Sequence, residues 1–231
     1  MDQISLIITD YRISLSAQEQ LWEMGQLVLF RHESLPGALS GHPDISIFHN
    51  GKDIIVSADI PAHVCNALKK HDIKYQQAGE VSGPDHPYSA TFNASGTEKV
   101  LIHNIKYTAV PVLDLYPGKE IIDVKQGYAR CSTLLLDDDH LITSDAGIAG
   151  KCKASGKEVL IVSPRDIKLP GMEYGLFGGC CGIINDTVVI YGSLKYHSQG
   201  SEIQDYIHKC GFEIIELVDE PLQDVGGIFM F

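Results

Sequence analysis

A short landmark recurs five times along this chain, and it constrains the fold more than any other feature of the sequence. It is a helix-like stretch, then a Gly or Asp, then a short apolar strand. It occurs at Met24-Gly25 before Gln26-Leu-Val-Leu-Phe30, at His71-Asp72 before Ile73-Lys-Tyr75, and at Pro117-Gly118 before Lys119-Glu-Ile-Ile122. It returns at Ser155-Gly156 before Lys157-Glu-Val-Leu-Ile161 and at Cys210-Gly211 before Phe212-Glu-Ile-Ile215. The mean spacing is about 46 residues. That lies in the range of repeat architectures, whose units bury their apolar faces only against neighbours. Five such units account for nearly all of the 231 residues.

Each unit also carries a hairpin signal. Asn50-Gly51 lies between Ile45-Ser-Ile-Phe48 and Ile54-Ile-Val-Ser57, and Asn-Gly between apolar runs is the strongest short hairpin cue. Ser95-Gly96, Asp138-Asp139 and Asn185-Asp186 are assigned the same place in the next three units. The run Asp137-Asp-Asp139 is then a solvated turn, since a calcium loop spaces more ligands more widely.

Helices follow the hairpins. Ser16-Ala-Gln-Glu19 reads as a capping box, with Ala17, Leu21 and Met24 on one face and Gly25 as a left-handed stop. Pro61 suits the first turn of a helix that buries Val64, Ala67 and Leu68, and Ile203, Tyr206, Ile207 and Cys210 repeat the pattern. In the third unit Pro111 leaves room for only a turn of helix.

The expected unit is therefore strand, strand, helix, strand, and the expected fold class is α/β, a closed propeller of five ββαβ units with pseudo-five-fold symmetry. The units run roughly over 1–40, 41–87, 88–127, 128–177 and 178–227 of one domain spanning 1–231. Ile4-Ser-Leu-Ile-Ile8 looks like a second hairpin strand with no first strand before it, and Gly227-Ile-Phe-Met-Phe231 like a first strand with nothing after it. Strand 227–231 is expected to complete the first unit, because closing the ring removes two exposed sheet edges.

Composition narrows the function classes. The formal charge is −12, from 18 Lys and Arg against 30 Asp and Glu. Nucleic acids and anionic membranes are disfavoured as partners, since both need clustered cations. No apolar run approaches a membrane span, and Met1-Asp2-Gln3 lacks the basic start of a signal peptide. A cytoplasmic protein, monomeric or homodimeric, is expected. The six cysteines, at 65, 131, 152, 180, 181 and 210, are then reduced thiols, and their spacing is not of the paired zinc type. No metal or other cofactor is expected. Dinucleotide, P-loop, zinc-protease and serine-hydrolase motifs are absent from the sequence.

In an antiparallel hairpin the start of strand one faces the end of strand two. Strand-one starts hold His42, Asp44, Cys131, Cys180, Cys181 and Gly226-Gly227, and strand-two ends hold Asp10, Asp59, Asn104, Asp145 and Ser193. In a five-unit ring these positions converge on one end of the axis. Several carboxylates aimed at one cavity favour a cationic ligand and raise one another's pKa. A nearby Cys would supply a nucleophile and His42 a general base. Gly41-His-Pro-Asp44 is read as a strand with His42 and Asp44 on one face. The competing roles are ordinary: Asp10, Asp59 and Asp145 as helix caps, Arg12 as a partner of Asp10, and the cysteines as core.

Five such units in a ring resemble the pentein fold, whose members include arginine deiminases, amidinotransferases, dimethylarginine hydrolases and a ribosome anti-association factor. His42-Pro43-Asp44 resembles the H-x-D of the guanidine-modifying members, which implies an acid/base role for His42 and guanidinium binding for Asp44. Asp224-Val-Gly-Gly227 resembles the glycine pair before their last strand. Asp10-Tyr-Arg12, Ser40-Gly-His-Pro-Asp44, Gly178-Gly-Cys-Cys181 and Pro221-Leu-Gln-Asp-Val-Gly-Gly227 together resemble an uncharacterised bacterial pentein-like group. The enzymes place their catalytic Cys a few residues after the glycine pair, where this sequence reads Ile228-Phe-Met-Phe231. Cys131, Cys180 or Cys181 would have to serve instead. The resemblance implies a hydrolase or transferase acting on a guanidino- or amidine-type cation, with Asp10, Arg12, Asp44, Asp145 and Asp224 as binding candidates. Two alternatives stay open: a non-catalytic binder of a small cation, and a macromolecular interaction ring.

Overall fold

In a computed structural model the described residues are 4–231. Met1-Asp2-Gln3, which enter the signal-peptide argument, lie outside them. The chain opens with β1 (Leu6–Asp10), α1 (Leu15–Met24) and β2 (Gln26–Phe30). The second unit is β3 (Ile47–His49), β4 (Ile54–Val56), α2 (Ala62–Lys70) and β5 (Gln76–Gln77). The third is β6 (Ser95–Gly96), β7 (Val100–His103), α3 (Val110–Leu113) and β8 (Glu120–Asp123). A helical turn, α4 (Ala129–Ser132), precedes β9 (Thr133–Leu135), β10 (His140–Thr143), α5 (Ala146–Ala154) and β11 (Glu158–Ile161). The last unit is β12 (Cys181–Ile184), β13 (Thr187–Ile190), α6 (Gly200–Lys209) and β14 (Glu213–Glu216), and β15 (Phe229–Met230) follows.

These strands form five three-stranded mixed sheets, the middle strand pairing antiparallel with the first and parallel with the third. The first sheet has the order β15-β1-β2, with Ile7 opposite Met230 and Ile8 opposite Phe229. The last strand therefore closes the ring onto the first unit, as the strand arithmetic requires. First strands of neighbouring sheets touch, β3 on β6, β6 on β9 and β12 on β15, so they line the axis.

The middle strands are apolar without alternation because each of their faces serves a different core. Leu6 and Ile8 enter the cluster around Val56, Val64 and Leu68, whereas Ile7 enters the one around Leu21 and Val189. Ile55 and Leu101 join Phe48, Phe92 and Tyr116, while Val100 and Ile102 join Leu141 and Ile148. Ile142, Val188 and Ile190 complete a fifth cluster with Ile203 and Ile207. Each core is thus shared between adjacent units, which is why one unit cannot stand alone. Among the described residues no helix is long and apolar enough to cross a membrane.

Four local readings are corrected. The N-cap of α1 is Ser14, not Ser16: Ser14 is extended and its Oγ accepts from the Ala17 amide at 3.3 Å. Gly25 is not a left-handed stop, for its φ is 179°. A Cβ there would sit 2.7 Å from the Ile4 carbonyl oxygen, so close approach is what requires glycine. At the other four landmarks the chain does turn left-handed, at Asp72, Gly118, Gly156 and Gly211. Ser95-Gly96 is strand β6 rather than a turn, and its glycine admits the Tyr116 hydroxyl, 2.5 Å from where a Cβ would be. Finally, His42 and Asp44 are not on a strand. His42 is the extended junction between two 3-10 turns, Gly37–Gly41 and Pro43–Ile45, and Asp44 lies on the second, where Pro43 supplies the fixed φ of a first helical position.

Candidate functional site

That last correction exposes a feature of the repeat that strand patterning conceals. A helical turn leads into the first strand of four units: Pro43–Ile45, Tyr88–Ala90, α4 and Phe177–Cys180. In the remaining unit the segment Asp224–Gly227 occupies that place, with Gly226 and Gly227 both at positive φ. Side chains on or beside three of these segments meet at one end of the axis.

His42, Asp44, Cys131 and Asp224 form the centre of that meeting point, and none is more than 4% exposed. The Cys131 thiol donates to Asp44 Oδ2 at 2.6 Å. His42 Nε2 stands 3.8 Å from Asp224 Oδ1, an ion-pair separation without a hydrogen bond. A His42 ring nitrogen, Cys131 Sγ and an Asp224 oxygen all lie within 4.8 Å of one another. Among the described residues, His42 Nε2 and Asp44 Oδ1 have no hydrogen-bond partner.

The backbone is built to hold this cluster. Asp224 accepts from the Gly226 amide and from the Leu176 amide, each at 3.0 Å, which ties it to two units. A Cβ on Gly179 would fall 2.0 Å from Asp224 Oδ1, and one on Gly226 would fall 2.4 Å from His42 Cβ. Both glycines therefore let the chain close around the polar groups. Buried Asn93 grips Cys131 twice, accepting from its amide at 3.0 Å and donating to its sulfur at 3.5 Å.

Burial governs the electrostatics. It pushes the Asp44 carboxyl up to about 6, with Asp224 adding to the rise and His42 and Arg130 opposing it. It pushes the Cys131 thiol well above its usual value, and Asp44 and Asp224 push it further. Without a cation in the cluster Cys131 is a thiol, not a thiolate.

The other candidates have different neighbours. Asp10 is buried beside Gly41, and its carboxylate is held by the Arg12 amide, Nε and Nη2. This pairing raises the Arg12 pKa. Arg12 Nη1 also donates to the Gly37 carbonyl at 3.2 Å, so the pair fixes the turn that presents His42. Asp145 caps α5, accepting from the Ile148 amide at 2.8 Å and from Gln126 Nε2 at 3.1 Å. Cys180 and Cys181 are buried in the shared core, their thiols donating to the Leu176 and Phe177 carbonyls. Burial pushes Cys181 up to about 12 and Cys180 well above its usual value.

Two residues were not singled out from the sequence. Asn93 precedes the third unit's first strand, at the register position of Ser46, Ser132 and Cys180, and a polar or small residue at that position in four units is the signal that could have found it. Arg130 precedes Cys131, donates to the Gly178 and Cys181 carbonyls at 2.6 and 2.9 Å, and lies over the Phe229 ring. It also lines a cavity of about 580 Å³ at the hairpin-tip end of the axis, with His49, Thr133 and Phe231.

A family model described as a family of unknown function, DUF6873, matches residues 8–229. The chain belongs to this family. No curated protein matches it. Among solved structures it is similar to DDAH from Pseudomonas aeruginosa complexed with citrulline, at TM-score 0.55 and 9% identity, over 99% of this chain and 100% of that one. It is similar to an S-methyl-L-thiocitrulline adduct of a dimethylarginine dimethylaminohydrolase, at TM-score 0.57, 9% identity and the same coverage. It is also similar to agmatine deiminase from C. jejuni with substrate bound, at TM-score 0.55 and 10% identity, over 93% of this chain and 88% of that one. At these identities the likeness establishes the fold, which is the pentein fold.

Proposed function

We propose that this chain is a guanidine-modifying-type enzyme that takes a guanidino or amidine cation into the axial cluster. The observation that carries this reading is the convergence of Cys131 Sγ, the His42 imidazole and the Asp224 carboxylate within 4.8 Å, with Asp44 on the sulfur. Two carboxylates and an ionisable thiol around one buried point are poorly compensated alone, and a planar cation with several N–H donors would compensate them.

Such a cation would also lower the pKa of the Cys131 thiol, and Asp44 Oδ2 is placed to receive its proton. The thiolate then attacks the central guanidino carbon, forming a C–S bond. Collapse of that adduct breaks a C–N bond, and the departing amine takes a proton from His42. His42 next takes a proton from water, which adds to the carbon and releases Cys131. The four groups are sealed, so entry requires the turns at Gly37–Gly41 and Asp224–Gly227 to part.

The raised Cys131 pKa supports a second reading, a non-catalytic binder of the same cations. A thermal-shift screen with arginine, agmatine, methylarginines and creatine-like compounds separates these readings. The enzyme reading expects stabilisation by at least one compound and release of amine or ammonia that Cys131→Ala abolishes. Stabilisation without turnover leaves the binder. No stabilisation by any of them, together with no turnover, overturns both.

A further inference from the structure

We propose that His42, Cys131 and Asp224 form a binding site for a zinc-class divalent transition-metal ion, taken up as the chain folds. The inference goes beyond the guanidino reading and does not depend on it.

Three donor types favoured by such ions, an imidazole nitrogen, a thiol sulfur and a carboxylate oxygen, meet within 4.8 Å. Tetrahedral zinc with bonds of roughly 2.0–2.3 Å sets its ligand atoms about 3.5 Å apart. The cluster is therefore close to the required size and needs to draw in by about 1 Å at its widest. The His42–Asp224 edge, at 3.8 Å, is already near it.

A second, independent observation points to a missing ligand. His42 Nε2 and Asp44 Oδ1 are buried and lack hydrogen-bond partners among the described residues. An unmade buried bond is costly, and a metal on His42 would remove that cost. The ligands come from three distant parts of the chain, and two are already fixed by hydrogen bonds: Cys131 by the Asn93 side chain, and Asp224 by the Leu176 and Gly226 amides. Calcium and magnesium fit poorly, since they take all-oxygen shells.

Binding replaces the Cys131 S–H bond by an S–metal bond and releases one proton to solvent. One thiolate and one carboxylate then neutralise the dication. Three protein ligands leave a fourth position, for water or for Asp44 Oδ1. Because every ligand is at most 4% exposed, uptake is coupled to folding.

The test refolds the full chain from denaturant with chelator, Zn²⁺ or Co²⁺, then removes loosely held metal. The expected result is about one metal ion per chain by mass spectrometry, with a thiolate-to-cobalt charge-transfer band in the near ultraviolet. Metal added to the chain already folded in chelator should enter much more slowly. Cys131→Ser should abolish the band, and Cys131→Ser and His42→Gln should each weaken affinity by more than the roughly 10–100-fold that loss of an outer-shell partner costs. Cys65→Ser should leave both readouts unchanged. Circular dichroism in chelator checks that each variant folds. Absence of bound metal after refolding, or stoichiometric binding untouched by both Cys131→Ser and His42→Gln, overturns the proposal. The guanidino screen, run in chelator, is scored separately, so either reading can fail without the other.

Discussion

Ring closure depends on very little chain, and Phe229→Ala tests it. Phe229 is 4% exposed and packs with Leu6, Ile8, Phe30 and Ile47, so it joins the closing strand to the first and second units. Its ring also lies 5.6 Å beneath the Arg130 guanidinium. Truncating a buried Phe costs about 3–5 kcal/mol, and loss of the cation–π contact adds about 1 kcal/mol. The expected total, about 4–6 kcal/mol, is a large part of an ordinary domain's roughly 5–15 kcal/mol. Urea unfolding monitored by circular dichroism should show the midpoint falling with the slope unchanged. Phe231→Ala is the internal control. Phe231 is half-buried, packing at the edge of the same cluster and against His49 at 5.0 Å, so it should cost less, about 1 kcal/mol. Its backbone, which accepts from the Ser5 and Leu6 amides, is untouched by the change. A cost below about 1.5 kcal/mol for Phe229→Ala, or equal costs at both positions, would refute the reasoning.

Three other outcomes are expected. Asp44→Asn should raise thermal stability in chelator while abolishing guanidino stabilisation, because it removes a buried charge with an unpartnered oxygen; a lowered melting temperature would count against that account. His103 is buried and neutral, its pKa lowered to about 4 chiefly by desolvation, against a weaker opposing pull from Gly127, Ala90 and Asp123. The unfolded chain therefore binds the proton first, and the contribution of His103 to stability is full above about pH 6.5 and falls by about 3 kcal/mol toward pH 4. His103→Gln should flatten that slope in urea titrations across the window, and an unchanged slope would remove His103 from the explanation. Ser14→Ala should cost about 1 kcal/mol as an N-cap and Ser16→Ala only a few tenths, which calorimetry can separate.

That His42, Asp44 and Cys131 cluster is legible in the repeat, because polar residues stand where a strand ought to begin. Those positions are not strand. A three- or four-residue helical turn carries no usable periodicity, so the turns at Pro43–Ile45 and Ala129–Ser132 left no signal. Reading Ser95-Gly96 as a turn also displaces the third unit's hairpin by three residues, and Asn93 is missed with it. Arg130 was missed because its partners are the Gly178 and Cys181 carbonyls, and backbone acceptors leave no trace in residue identity.

The sequence by itself determined the number of units, their strand–strand–helix–strand order and the need for the last strand to close on the first. Those follow from local periodicity, turn chemistry and the mismatch between the two ends. Only the tertiary structure decided which polar groups are neighbours. Asp10 and Asp44 look alike in sequence, yet Asp10 is neutralised by Arg12 while Asp44 faces a thiol and has one oxygen free. Cys131 and Cys181 both begin a unit, yet one meets His42 and the other a core carbonyl. A ring of five units brings residues 42, 131 and 224 together through glycines that leave room at single atoms, and such distances are settled by packing rather than by pattern.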